Sequence, residues 1–190
     1  MPQTPNLHPS IDAPTSTAHL QRVLERHRYQ GDSNDCGPYT VAMLVEGMTG
    51  AIVDPKALAR DLGRPRWRGL WGFLPLLRRI PGFSTFPWGL VDALGGLGMR
   101  ARWQRACTEA ELRGWLGAGL GIIVLYGEWF PKPWAHYVVL LAEHPERGWG
   151  VADPDRPAAE LRWIDHPTFA RRWAAMGRIA VLAGGGRPPD

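Results

Sequence analysis

The stretch Gln30-Gly-Asp-Ser-Asn-Asp-Cys36-Gly-Pro-Tyr-Thr-Val-Ala-Met-Leu44 joins a polar loop to an apolar run, with Cys36 at the junction. From Pro38 to about Gly47 the apolar positions Val41, Met43, Leu44 and Val45 predict a largely buried helix, and Gly50 is a stop signal. Cys36 then falls at or just before the first turn. Unpaired amide N–H groups and the positive end of the helix dipole favour a thiolate over a thiol there. Gln30 lies on the loop leading in, where its side-chain amide, with the Cys36 N–H, can donate hydrogen bonds to a developing oxyanion. Each residue alone has an ordinary reading, since a lone cysteine is most often a small buried hydrophobe and a loop glutamine is most often solvated.

Two downstream residues change that balance. His136 opens His-Tyr-Val-Val-Leu-Leu-Ala142, a β-branched and apolar run that reads as a central strand. The turn signal His-Pro-Glu-Arg-Gly148 follows, and Trp149 to Asp153 reads as the returning strand. A hairpin turning near Pro145 brings Asp153 within about two residues of the position opposite His136, close enough for the side chains to interact. A carboxylate there fixes the imidazole tautomer and stabilises its charged form, the logic of nucleophile, base and orienting group.

With these residues in place the chain resembles a papain-like cysteine peptidase. Within that group it is most similar to the bacteriocin-processing, double-glycine-leader peptidase family and its stand-alone relatives. The resemblance is carried by Gln30, four intervening residues, Asp35-Cys36-Gly37, then His136-Tyr-Val-Val139, then Asp153-Pro154, and it spans about residues 28 to 183. It implies an α+β fold in which an N-terminal helical half, containing the nucleophile helix, packs on a mostly antiparallel sheet. It also implies Cys36 as nucleophile, His136 as general base and acid, Asp153 as orienting residue and Gln30 as oxyanion donor. The stretch around Cys36 resembles ubiquitin-like-protein proteases as well, but those place histidine and aspartate before the glutamine and cysteine. Upstream of Gln30 this chain offers only His8, His19 and His27, in a short segment. Two features depart from the leader-peptidase pattern: no phosphate-binding loop or membrane-spanning stretch is evident, and Tyr39 stands where a small residue is expected.

Length and composition fit one peptidase domain over residues 17 to 183, with a mobile Pro/Ser/Thr-rich arm before it (residues 1 to 16) and a flexible tail after it (184 to 190). The N-terminus lacks the basic start and apolar segment of a secretion signal, so a cytoplasmic location is expected. Cys36 and Cys107 give no disulfide framework, and six dispersed histidines give no zinc-ligand spacing; no cofactor or metal is expected. The formal charge of +4 comes almost wholly from arginine, Lys56 and Lys132 being the only lysines. These arginines are scattered without a basic stripe and read mostly as solvated surface, so the expected partner is a peptide or protein substrate rather than nucleic acid.

Helices are predicted over residues 17 to 29, Asp54 to Gly63, Pro87 to Leu97 and Thr108 to Leu116, and in a short element capped by Asp165. Strands are predicted from Met99 through Trp103 and Arg105, from Gly121 to Tyr126, Glu160 to Ile164 and Arg178 to Leu182, besides the hairpin. The segment from Arg64 to Ile80 has two open readings. It is a lid or peptide-binding wall carrying Trp67 and Trp71, or an irregular helix packed through Leu74, Leu76, Leu77 and Ile80. The loop Glu128 to Ala135 must border His136, making Trp129 and Trp134 further candidates for substrate contact.

The residues suit a thiol peptidase, and the resemblance implies small residues before the scissile bond, since a narrow cleft would exclude large side chains. They equally suit an acyltransferase or transpeptidase passing the acyl group to an amine. A non-catalytic peptide-binding module is disfavoured, because nothing in such a module requires all four polar residues.

Overall fold

The computed structural model describes residues 18–67 and 75–184. The proposed arm, Trp71 and residues 185–190 of the proposed tail lie outside the described residues. The chain runs through α1 (Ala18–Glu25), α2 (Cys36–Thr49) and α3 (Pro55–Leu62) to two short strand pairs, β1 (Arg66–Trp67) with β2 (Pro75–Leu76) and β3 (Arg79–Ile80) with β4 (Ser84–Thr85). Then come α4 (Pro87–Gly96), β5 (Arg100–Gln104), α5 (Glu109–Gly117), β6 (Gly121–Glu128), β7 (Trp134–His144), β8 (Gly148–Ala152), β9 (Arg162–Ile164), α6 (His166–Ala175) and β10 (Ala180–Gly184).

Local signals set most of these boundaries. Asp54 caps α3 by accepting from Lys56 N–H at 2.9 Å, with Pro55 at the first helical position, where a missing N–H costs nothing. Thr108 and Glu111 form a reciprocal capping box on α5, and Asp165 caps α6 through Thr168 N–H. Gly50 ends α2 in the left-handed conformation, φ 77°, that a side chain would disfavour.

The main sheet has the order β5-β10-β6-β7-β8-β9, every described neighbour pair antiparallel. Consecutive burial from Gly121 to Val124 and from Tyr137 to Ala142 shows that both faces of the central strands are covered. The covering elements on these two strands include α2, α5 and α6. Val41, Leu44 and Val45 of α2 are fully buried, as are Ile122, Ile123, Val138 and Val139. The arrangement is the α+β one that the resemblance implies.

One expectation needs correction. The described ends of the Arg64–Ile80 segment are short strands, not helix, and Leu77 and Ile80 are exposed instead of packed on the core. A few arginines stand apart from the solvated majority. Arg78 is 1% exposed and ties three elements together, donating to Asp92 Oδ2 at 2.8 Å, Asp61 Oδ2 at 3.0 Å and two backbone carbonyls. Arg79 and Arg162 are likewise bound to carboxylates. A buried guanidinium is tolerable where its fork meets several oxygens, and those oxygens come from residues far off in the chain.

Candidate active site

Cys36 is the first residue of α2, where the backbone N–H groups lack intrahelical acceptors. The segment leading to it is strapped down on two sides. Arg28 donates to the buried Glu46 of α2 at 2.7 Å, His27 Nε2 lies 2.7 Å from Arg156 O, and Gln30 N–H donates to Pro154 O at 2.8 Å. The approach to the cysteine is thus tied to the turn that follows Asp153.

His136 lies near one end of β7 and its ring nitrogen Nε2 donates to Asp153 Oδ1 at 2.7 Å. The register explains the meeting. At the hairpin end His144 pairs with Gly148 and Ala142 with Gly150, but beyond Leu141 the pairs are Leu140 with Val151 and Val139 with Ala152. Leu141 is an extra residue, a β-bulge. Continuing the shifted register sets Asp153 opposite Val138, on the face His136 shares; without the bulge Asp153 falls opposite Val139, on the other face. The turn itself closes on Gly148, whose φ of 85° and close approach to Ile164 O exclude a side chain.

Three more side chains occupy that face. Tyr126 stands directly opposite His136, their rings edge to face at 6.0 Å. Arg162, opposite Val151 on β9, donates to Asp153 Oδ2 at 2.5 Å and to Tyr126 Oη at 3.2 Å. Trp134, two residues before His136, lies edge to face with Tyr126 at 5.4 Å and has Arg172 over its ring.

Asp153 is 2% exposed, and burial alone would raise its pKa. The His136 bond, the Asp155 N–H at 3.0 Å and the Arg162 guanidinium outweigh burial and hold it at about 2. For His136 burial alone would lower the pKa; the Asp153 carboxylate and the influence of the Cys36 thiol outweigh burial and push it up to about 9. With Nε2 committed to Asp153, Nδ1 is the nitrogen left for Cys36. The tyrosine hydroxyls nearby, Tyr126 and Tyr137, are pushed up by burial and stay neutral.

Gln30 is on the same loop as Cys36, its Nε2 donating to Ser33 O at 2.8 Å and its Oε1 buried without a partner among the described residues. One Nε2 hydrogen is therefore left uncommitted by that bond. Of the tryptophan candidates, Trp134 belongs to β7 rather than to the loop and sits beside His136. Trp129 is turned toward α6, donating to Ala175 O at 2.9 Å while 62% exposed. The Trp67 side chain and all of Trp71 lie outside what the structure describes. A cavity of about 760 Å³ borders the nucleophile loop, lined by Ser33, Asp35, Arg60 and Arg79 among others; Cys36, His136 and Asp153 do not line it.

Sequence reasoning missed Arg162 and Arg79. Neither carries a local signal, because an arginine in a short strand has the same neighbours whether it faces water or a buried carboxylate.

No sequence-family profile matches the chain. Nor does any curated protein. Solved structures do match in three dimensions. A C39-like peptidase from Bacillus anthracis superposes with a TM-score of 0.63 at 17% identity, covering 85% of this chain and 95% of that one. The fold is that of a C39-like peptidase domain. The peptidase domain of Streptococcus ComA, a bifunctional ABC transporter involved in a quorum-sensing pathway, matches at 0.57 and 19% identity, over 84% of this chain and 97% of that one. A double-glycine motif protease from an AMS/PCAT transporter, solved with its leader peptide, matches at 0.56 and 18% identity, over 84% and 91%. The C39-like fold thus accounts for nearly the whole of each neighbour and most of this chain. Among the described residues no helix is long and apolar enough to cross a membrane.

Proposed function

We propose that this chain is a cysteine peptidase that cleaves peptide bonds through Cys36, His136 and Asp153, with Gln30 as oxyanion donor. The observation that supports the reading is an imidazole bonded to a buried carboxylate and raised in pKa in part by a cysteine that begins a helix. With His136 pushed up to about 9 and Asp153 held at about 2, the resting pair at neutral pH is imidazolium and carboxylate beside the Cys36 sulfur.

The chemistry follows from that charge state. The Cys36 thiolate attacks the carbonyl carbon of the scissile bond, and the electron pair moves to the oxygen, where the Cys36 N–H and the free Gln30 Nε2 hydrogen meet it. The oxyanion collapses as His136 gives its proton to the departing amine, leaving a thioester. The now neutral imidazole takes a proton from water, the resulting hydroxide attacks the thioester, and the thiolate is expelled with a carboxylic acid product. Asp153 keeps the ring in one tautomer throughout. Trp134 forms a wall beside His136 for the substrate.

The double-glycine specificity of a structural neighbour suggests small residues before the bond that is cut. Peptide-library profiling tests the reading: the wild type should cleave and Cys36→Ala should not. Repeating the profile with added amines distinguishes hydrolysis from transfer. Equal cleavage by the Cys36→Ala protein overturns the assignment.

A further inference from the structure

We propose that Arg79 is a positioning residue for the nucleophile: it binds the Asp35 carboxylate, screens that negative charge from Cys36 and holds the loop on which the helix start depends. The proposal rests on Cys36 being the nucleophile.

Asp35 is the N-cap of α2, immediately before Cys36. An aspartate there ordinarily turns its carboxylate onto the N–H of the second or third helical residue. Here it makes no such bond. The third helical residue is Pro38, which has no N–H to offer, and the carboxylate is instead bound by Arg79 Nη2. Arg79 comes from β3, its side chain is 7% exposed, and Nη1 donates to Ala59 O of α3 at 3.2 Å. One residue earlier, Asn34 Nδ2 donates to Gly82 O, in the turn between β3 and β4, at 2.8 Å. The β3–β4 hairpin therefore grips both residues that precede the nucleophile.

The consequence is electrostatic. A bare carboxylate beside a thiolate repels it, and in a partly buried setting the repulsion is not erased by solvent. A guanidinium that stays charged at every working pH cancels it. Among the described residues, His136 from β7 interacts with the sulfur, with Asp153 and Arg162 behind it; Tyr137 is neutral, its hydroxyl donating to Thr85 O. None of these is altered by changing Arg79 or Asp35.

The test follows the rate of Cys36 alkylation by iodoacetamide against pH, a readout that does not require a substrate, in Arg79→Met, Asp35→Asn and the double variant. Arg79→Met should move the profile to higher pH by roughly one unit, and Asp35→Asn should move it lower. The double variant, having lost both charges, should return close to the wild type, with Arg79→Lys in between. A double variant as displaced as Arg79→Met overturns the proposal, since a bracing role alone would not be rescued by removing the carboxylate. Should Arg79→Met fail to fold, Asp35→Asn decides, and an unmoved profile overturns the idea. No peptide cleavage by the wild type, with these shifts intact, would instead count against the proposed peptidase function.

Discussion

Asp153 meets His136 across two strands because Leu141 is an extra residue in β7: the bulge moves the register by one and turns the carboxylate onto the histidine's face. The pair owes its geometry to a buried apolar residue five positions along β7 from His136.

That pairing should be visible in stability against pH. The depressed Asp153 contributes stability that is complete above the ordinary carboxyl value of 3.8 and is lost as pH falls through about 2. The raised His136 contributes stability that is complete below 6.5 and is lost as pH rises through about 9. Unfolding free energies from urea titrations of wild type and Asp153→Asn should therefore differ by about 2 kcal/mol near neutrality, and the difference should shrink toward both limits. Parallel curves for the two proteins would refute the linkage.

Cys36 should react with a small alkylating reagent far faster than Cys107 at neutral pH. Cys107 is fully buried, and burial pushes its thiol up. His136→Ala should slow labelling of Cys36 by roughly tenfold or more, since the cation beside the sulfur is lost. Mass spectrometry of the labelled peptides reads both sites, and comparable rates at the two cysteines would remove the case for a specialised thiol.

Gln30→Ala should leave Cys36 as reactive toward alkylation as before, while slowing peptide cleavage by on the order of a hundredfold, because the amide acts only once charge develops on the carbonyl oxygen. Its Nε2 bond to Ser33 O is local, so the fold should persist. Normal turnover by this variant would transfer the oxyanion role to backbone N–H groups or to Asn34.

Arg162→Met should cut kcat/KM by roughly tenfold and raise the acid limb of its pH profile, since Asp153 loses the cation at 2.5 Å that helps hold it ionised. Arg162 is about one-third exposed, so solvent takes up part of the effect. Arg162→Lys should restore part of the rate. An unchanged profile would show that His136 and the Asp155 N–H suffice.

Much of the site was legible before any coordinates. The polar-to-apolar switch at Cys36 marks the start of α2, where the helix begins, and the caps at Asp54, Thr108 and Asp165 stand where the sequence suggests. The order of Cys36, His136 and Asp153 pointed to the fold that the structural neighbours share. Trp134 was misjudged by one element, because β7 starts two residues earlier than its β-branched run implies.

By itself, then, the sequence determined most of the helices and strands and which side chains are candidates for chemistry, since caps, apolar period and turn residues act within a few positions of one another. Only the tertiary structure decided that Leu141 would bulge, that Arg162 would clamp Asp153 and that Arg79 would take the carboxylate beside the nucleophile. Those choices depend on partners dozens of residues away or on a register whose shift by a single residue reverses a face, and no local pattern records either.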